Sequence, residues 1–184
     1  MDIAQPDETA RDDGLAALVV RAQHDPAEFV TLYDLYVQPV YRYHFSRVGN
    51  APDAQDLTAQ TFLAALEALP RYRHRGYFAA WLFRIARSQR GTFFRSRSRE
   101  TDSEPAEAAP APGDALAVVV ERAPLRALLR ALDDDERELL NLRYAADLKF
   151  GEIADLLGRN EAAVKKALYR LLARLQAQLE AHDE

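Results

Sequence analysis

Apolar residues recur along this chain at three- and four-residue intervals, the spacing of helices that bury one face. Leu15, Leu18, Val19 and Ala22 predict a first helix. Asp25-Pro26-Ala27-Glu28 reads as the start of a second, with Asp25 as cap, Pro26 at the first helical position and Glu28 closing a capping box. Phe29, Leu32, Tyr33 and Tyr36 supply its apolar stripe, Pro39 is a candidate kink, and Gly49-Asn50-Ala51-Pro52 ends it. A third helix is predicted from about Asp53 to Leu69, with Leu57, Phe62, Ala65, Leu66 and Leu69 buried and Pro70 as the stop. Residues 71–77 form a loop. A fourth helix starts at Phe78, carries Phe78, Trp81, Leu82, Ile85 and Gln89 on one side, and continues towards Arg97. No strand pattern interrupts this, so the fold class is all-α.

The periodicity fails over residues 100–114, which are rich in Pro, Ala and acids and hold no large apolar side chain. Such a segment buries too little area to offset its ordering entropy, so it reads as a flexible acidic linker. Two small helical domains follow, 1–99 and 115–184. In the second, Leu116 to Leu132 is apolar-periodic and interrupted by Pro124. Asp133 and Glu136 fit a capping box, and the acids around them suit the positive end of a helix dipole.

Phe150 to Leu168 predicts two helices joined by a three-residue turn. Gly158 takes the left-handed exit from the first helix and Asn160 caps the second. Ile153, Leu157, Val164 and Leu168 pack the corner. A plain helical hairpin would share this apolar pattern. The outer face of the second helix distinguishes the two, because Lys165, Lys166, Tyr169, Arg170 and Arg174 cluster there, with Arg159 in the turn and only Glu161 opposing them. This is the helix-turn-helix arrangement whose second helix enters the major groove.

Composition changes the picture only when it is resolved by segment. The 184 residues carry 24 basic and 29 acidic groups, a net charge of −5 that on its face argues against a nucleic-acid partner. Yet residues 70–99 hold nine Arg and no acid, while residues 100–120 hold five acids and no base. Within the basic block, Arg71-Tyr72-Arg73-His74-Arg75-Gly76-Tyr77-Phe78 interleaves guanidinium groups with flat rings. Arg neutralises phosphates and rings stack on unpaired bases, so single-stranded DNA fits this block better than duplex alone. Trp81 and Ile85 read as packed, and Tyr72 and Tyr77 as the stacking candidates.

The chain has no Cys, which excludes disulfides and thiolate chemistry. Its wholly apolar runs, such as Ala115 to Val120, are too short to cross a membrane, and its acidic N-terminus is unlike a secretory signal. A cytoplasmic protein is expected, with no membrane insertion. His24, His44, His74 and His182 are scattered, and there is no Gly-rich phosphate loop or nucleophile motif. No catalytic residues, metal or cofactor are therefore expected.

Four signatures stand in order: Phe29-Val-Thr-Leu-Tyr-Asp-Leu-Tyr36 with Val40-Tyr41-Arg42-Tyr43, Asp53 to Leu63, Ala80-Trp-Leu-Phe-Arg-Ile-Ala-Arg87, and the Leu139-to-Leu175 helix-turn-helix. Together they resemble the extracytoplasmic-function (ECF) sigma factors, group IV of the bacterial sigma-70-type family, over about Ala27 to Leu179. The resemblance implies that the first domain grips the clamp of core RNA polymerase and melts the minus-ten element. It implies that the second domain binds the minus-35 element and the polymerase flap. It makes Asp53, Asp56, Leu57, Gln60, Thr61 and Phe62 the polymerase-binding set. Arg71, Tyr72, Arg73, Arg75, Tyr77, Phe78, Trp81, Arg84, Arg87 and Ser88 become the minus-ten set. Arg159, Asn160, Lys165, Lys166, Tyr169 and Arg170 become the minus-35 set. An anti-sigma factor is a compatible partner. The chain departs from the pattern at Ala59, where Gln is usual, at Ser88 and Thr92, where Asn and Asp are usual, at Asp133 in place of Pro, and at Lys149 in place of a Ser/Thr cap.

Energetics imply a partner as well. Unstacking costs ~1.4 kcal/mol per base-pair step, and each base stacked on a ring returns roughly 1–3 kcal/mol. One or two captured bases pin a nascent bubble but do not hold a dozen pairs open. The alternative, a stand-alone helix-turn-helix regulator, explains the second domain and leaves the arginine-aromatic block unused.

Overall fold

The computed structural model describes residues 6–73, 77–101 and 123–183. Most of the predicted linker and the opening residues of the second predicted domain, 102–122, lie outside the described residues. So does Arg75. Among the described residues there is no strand, and no helix is long and apolar enough to cross a membrane.

Helices α1 (Pro6–His24), α2 (Phe29–Val48), α3 (Ala51–Ala68) and α4 (Phe78–Thr101) form the first half. A 3-10 turn, Pro26–Glu28, separates α1 from α2. Asp25 caps that turn through Ala27 N at 2.9 Å, as its sequence predicts. Glu28 does not complete a box: the Asp25 N–H already bonds Arg21 O at 2.9 Å, and the Glu28 carboxylate pairs with Arg21 instead. Pro39 sits inside a continuous α2. Gly49 ends α2 at φ 80°, and Asn50 starts α3 by accepting from Asp53 N at 2.9 Å. α4 reaches two residues into the segment read as linker.

The first core is built from Leu18, Val19, Leu32, Val40, Tyr43, Phe62, Ala65, Leu69, Phe78, Leu82 and Phe83. Leu66, expected inside, is exposed, because helical spacing sets it on the outward stripe with Ala59 and Leu63. His44 is fully buried and its Nε2 lies 2.9 Å from Thr61 Oγ1. Thr61 gives its own proton to Leu57 O at 2.7 Å, so its oxygen can only accept and His44 carries the proton on Nε2. Nδ1 is left buried without a partner. Burial, with Arg90 nearby, pushes this imidazole down to about 3, so it is neutral.

The second half comprises α5 (Ala123–Arg130), α6 (Asp134–Leu140), a π turn at Asn141–Ala145, α7 (Phe150–Leu157) and α8 (Glu161–Asp183). Pro124 sits in the first turn of α5, which has no use for its missing N–H. The predicted capping box is present: Glu136 N donates to Asp133 Oδ1 at 2.8 Å and Asp133 N to Glu136 Oε2 at 3.4 Å. Lys149, which has no acceptor, leaves α7 with half a box, its N–H donating to Glu152 at 2.7 Å. Buried apolar residues of the two halves join in one continuous cluster. α7 packs against α4, and the π turn against α2.

Candidate nucleic-acid interface

The 3-10 turn Leu69–Arg71 stops α3 and brings Tyr72 against the start of α4. Gln23 of α1 fixes this turn by donating to Leu69 O at 3.0 Å and also to Tyr72 O. Tyr72 then lies 4.6 Å from Trp81 and 5.7 Å from Phe78, centroid to centroid, and Tyr36 supports Phe78 at 5.4 Å. Above this aromatic base opens a cavity of about 450 Å³, lined by Arg71, Tyr72, Arg73, Tyr77, Trp81, Arg84 and Asp155. Its size lies within the range of ligand clefts, about 300–1,000 Å³.

Six of the residues assigned to minus-ten recognition therefore meet in one place. Ser88 is exposed farther along α4. Phe78, expected at the DNA surface, is a core residue instead: it is 1% exposed and packs beneath Trp81 with ring centroids 5.3 Å apart. Arg87 faces away from the cavity, towards Glu138 at 3.0 Å. Sequence patterning missed Gln23, Tyr36 and Asp155. Each acts across a tertiary contact with no local signature.

On α3 the polymerase set divides by face. Leu57, Thr61 and Phe62 are corrected to core residues, at 0%, 0% and 5% exposure. The 3.6-residue repeat that turns them inward turns Asp56, Ala59, Gln60 and Leu63 to solvent. Leu63 is 63% exposed, the most open large apolar residue among those described, and was not in the polymerase-binding set expected from the sequence. Asp53 is half-buried and accepts from the Asn50 side chain at 2.7 Å.

The helix-turn-helix is formed as predicted, with Gly158 at φ 63° and Asn160 accepting from Ala162 N at 2.8 Å. Ile153, Val164 and Leu168 close the corner, while Leu157 is only half-buried and Leu156 takes its place inside. Arg159, Asn160, Lys165, Lys166, Tyr169 and Arg170 are all exposed. Lys165 is engaged locally, 3.0 Å from Glu161 and 5.4 Å from the Phe150 ring centre. Arg174 pairs with Glu136 at 2.7 Å, a hydrogen bond that raises its already high pKa.

Comparison with known proteins places this geometry. Residues 32–100 match the model of Sigma-70 region 2, and residues 122–175 match that of Sigma-70, region 4. The ECF RNA polymerase sigma factor BldN of Streptomyces coelicolor is 37% identical over 166 residues, which cover 86% of this chain and 63% of BldN. The ECF RNA polymerase sigma factor ShbA of Streptomyces griseus is 35% identical over 179 residues, 89% of this chain and 94% of ShbA. The solved structure of CnrH, in complex with the cytosolic domain of CnrY, matches with a TM-score of 0.63 at 25% identity over 90% of this chain and 96% of CnrH. The chain belongs to the ECF RNA polymerase sigma factors. Two sigma regions in one chain do not favour the stand-alone regulator.

Proposed function

We propose that this chain directs RNA polymerase to promoters, with residues 1–99 capturing and melting the minus-ten element and residues 115–184 reading the minus-35 element. The observation that carries this reading is the cavity of Arg71, Tyr72, Arg73, Tyr77, Trp81 and Arg84. Guanidinium groups at its rim neutralise phosphates, and its aromatic wall offers a flipped base a stacking surface. Asp56, Gln60 and Leu63 form the face offered to the polymerase clamp. Lys165, Lys166, Tyr169 and Arg170 face the minus-35 duplex, with Arg159 and Asn160 at the N-terminal end of the same helix. The flap of the polymerase and an anti-sigma factor are its further protein partners, and the cytoplasm its place of work. As a sigma factor it carries no chemistry of its own.

Run-off transcription with core polymerase on genomic fragments tests the proposal. Discrete transcripts that require this chain are expected. Failure to associate with core polymerase and to yield any transcript would overturn it.

A further inference from the structure

Glu138 is the most heavily contacted acid described in the molecule. It belongs to α6 in the second half, yet its carboxylate sits among side chains of the first. Tyr43 donates to Oε1 at 2.9 Å and Arg87 lies 3.0 Å from the same oxygen. Arg90 donates to Oε2 at 3.1 Å, and Arg47 lies 3.5 Å from it. The side chains of Glu138, Arg47 and Arg90 are 7%, 11% and 18% exposed, so this contact is largely shielded from water.

One turn earlier on α4, Arg84 meets a second acid of the second half, Asp155, at 3.3 Å. Arg84, Arg87 and Arg90 follow at three-residue steps, about 4.5 Å of helix rise each. The row begins at the aromatic cavity, where Asp155 forms part of the wall. The hydroxyl of Tyr77, another residue of that wall, lies close against Gly151 of α7, with 3.1 Å between it and the position of a Cβ there. Three arginines of one helix and one of α2 are thus matched by two carboxylates, and one of these, Asp155, lies in the wall of the aromatic site.

Clustered guanidinium groups have a strong requirement for an anion. Burial first, and the like charge of Arg90 second, lower the Arg47 pKa, while Glu138 opposes that shift. If α6 leaves, Glu138 goes together with Asp134, the other acid that acts on Arg47, and Arg47, Arg87 and Arg90 lose the counter-charges that α6 supplies. A phosphate diester presents the same two charged oxygens as a carboxylate and accepts the same donors.

We infer that Arg84, Arg87, Arg90 and Arg47, with the Tyr43 hydroxyl, form a phosphate track for single-stranded DNA, and that Glu138 and Asp155 occupy this track in the closed molecule as internal stand-ins for phosphate. The inference rests on the minus-ten reading of the adjacent cavity and extends it to Tyr43, Arg47 and Arg90. The second half thereby competes with DNA for the first. Glu138 carries most of the closure, because the Arg84–Asp155 pair is about half exposed and such pairs are weak.

The full chain provides the test. Because it lacks Cys, labels can be introduced at exposed Gln55→Cys and Ala173→Cys to follow the separation of the halves by energy transfer. The probe is a short fluorescent single-stranded DNA of mixed sequence, free of polymerase. Glu138→Gln with Asp155→Asn should lower the transfer and tighten DNA binding roughly tenfold, the gain from releasing a molecule closed about nine times in ten. Asp34→Asn with Glu180→Gln removes equal charge elsewhere and should leave both readings near wild type. Adding Arg47→Ala and Arg90→Ala to the opened variant should cancel the gain.

A second measurement needs no variant of the site. Saturating DNA should lower the transfer in the otherwise unaltered labelled chain. Unchanged transfer on saturation, or a gain equal to that of the charge control, would overturn the inference. Run-off transcription by the same chains separates this outcome from failure of the sigma reading: a chain that initiates normally but shows no competition refutes the track alone.

Discussion

Tyr72 leans on Trp81 with ring centroids 4.6 Å apart and planes inclined by 40°. The pair forms the aromatic wall of the arginine-rimmed cavity, and Tyr72 is held there by Gln23 through its own carbonyl. Tyr72→Ala removes one stacking surface and leaves α4 intact. Loss of one base stack, roughly 1–3 kcal/mol, should reduce open-complex formation about 5- to 150-fold. Holoenzyme assembly should change little. Permanganate reactivity of promoter thymines reads the first quantity and co-elution with core polymerase the second. A defect larger in assembly than in opening would refute the assignment of this loop.

The two faces of α3 predict opposite phenotypes. Asp56→Arg and Leu63→Asp alter exposed positions, so the melting temperature should hold while affinity for core polymerase falls. Phe62→Ala and Leu57→Ala empty buried space instead and should cost about 2–5 kcal/mol of stability. Denaturant unfolding and a polymerase pull-down, run on all four variants, distinguish the surfaces. A stable Phe62→Ala protein that fails to bind polymerase would return that ring to the interface.

Periodicity was enough to read the helices and the corner of the helix-turn-helix, because helical spacing and caps such as Asn160 and Asp133 are local. The grouping of Arg71, Tyr72, Tyr77 and Trp81 was legible for the same reason: they lie within eleven residues on one loop and helix start. Leu57, Thr61, Phe62 and Phe78 lie in the core, which their motifs did not show, since a motif records a segment and not which of its faces is buried. Glu28 was misassigned because an N–H that α1 had already engaged is invisible in the local pattern. The Glu138 site escaped altogether. Its partners come from α2 and α4, and no spacing along the chain brings Tyr43, Arg47, Arg87 and Arg90 to one carboxylate of α6.

His44 predicts acid sensitivity. In the unfolded chain its imidazole takes a proton near pH 6.5, whereas in the folded chain it stays neutral down to about 3. Between those values the unfolded state binds more protons, so stability falls with acidification and this contribution is flat above pH 6.5. The slope approaches about 1.4 kcal/mol per pH unit. His44→Gln keeps a donor for Thr61 and cannot be protonated, so urea unfolding between pH 6.5 and 5 should show a shallower slope for the variant. Equal slopes would mean that His44 finds an acceptor for a second proton in the fold.

Lys165 and Lys166 are neighbours with different duties. Lys165 is paired with Glu161 at 3.0 Å and lies over the Phe150 ring, so part of its charge is already satisfied within the domain. Lys166 is exposed and has no ion-pair partner among the described residues. Each lysine that neutralises a DNA phosphate contributes about 0.9 to the slope of log affinity against log salt. Lys166→Ala should therefore lower that slope by about one for holoenzyme on minus-35 duplex. Lys165→Ala should lower it less, because binding must first pull the lysine from Glu161. Glu161→Gln frees Lys165 and should raise affinity at low salt. Titrations of labelled duplex at several salt concentrations read all three variants. An unchanged slope in Lys166→Ala would show that this side chain reads a base edge or points past the DNA, and would shift the phosphate contact to Arg170.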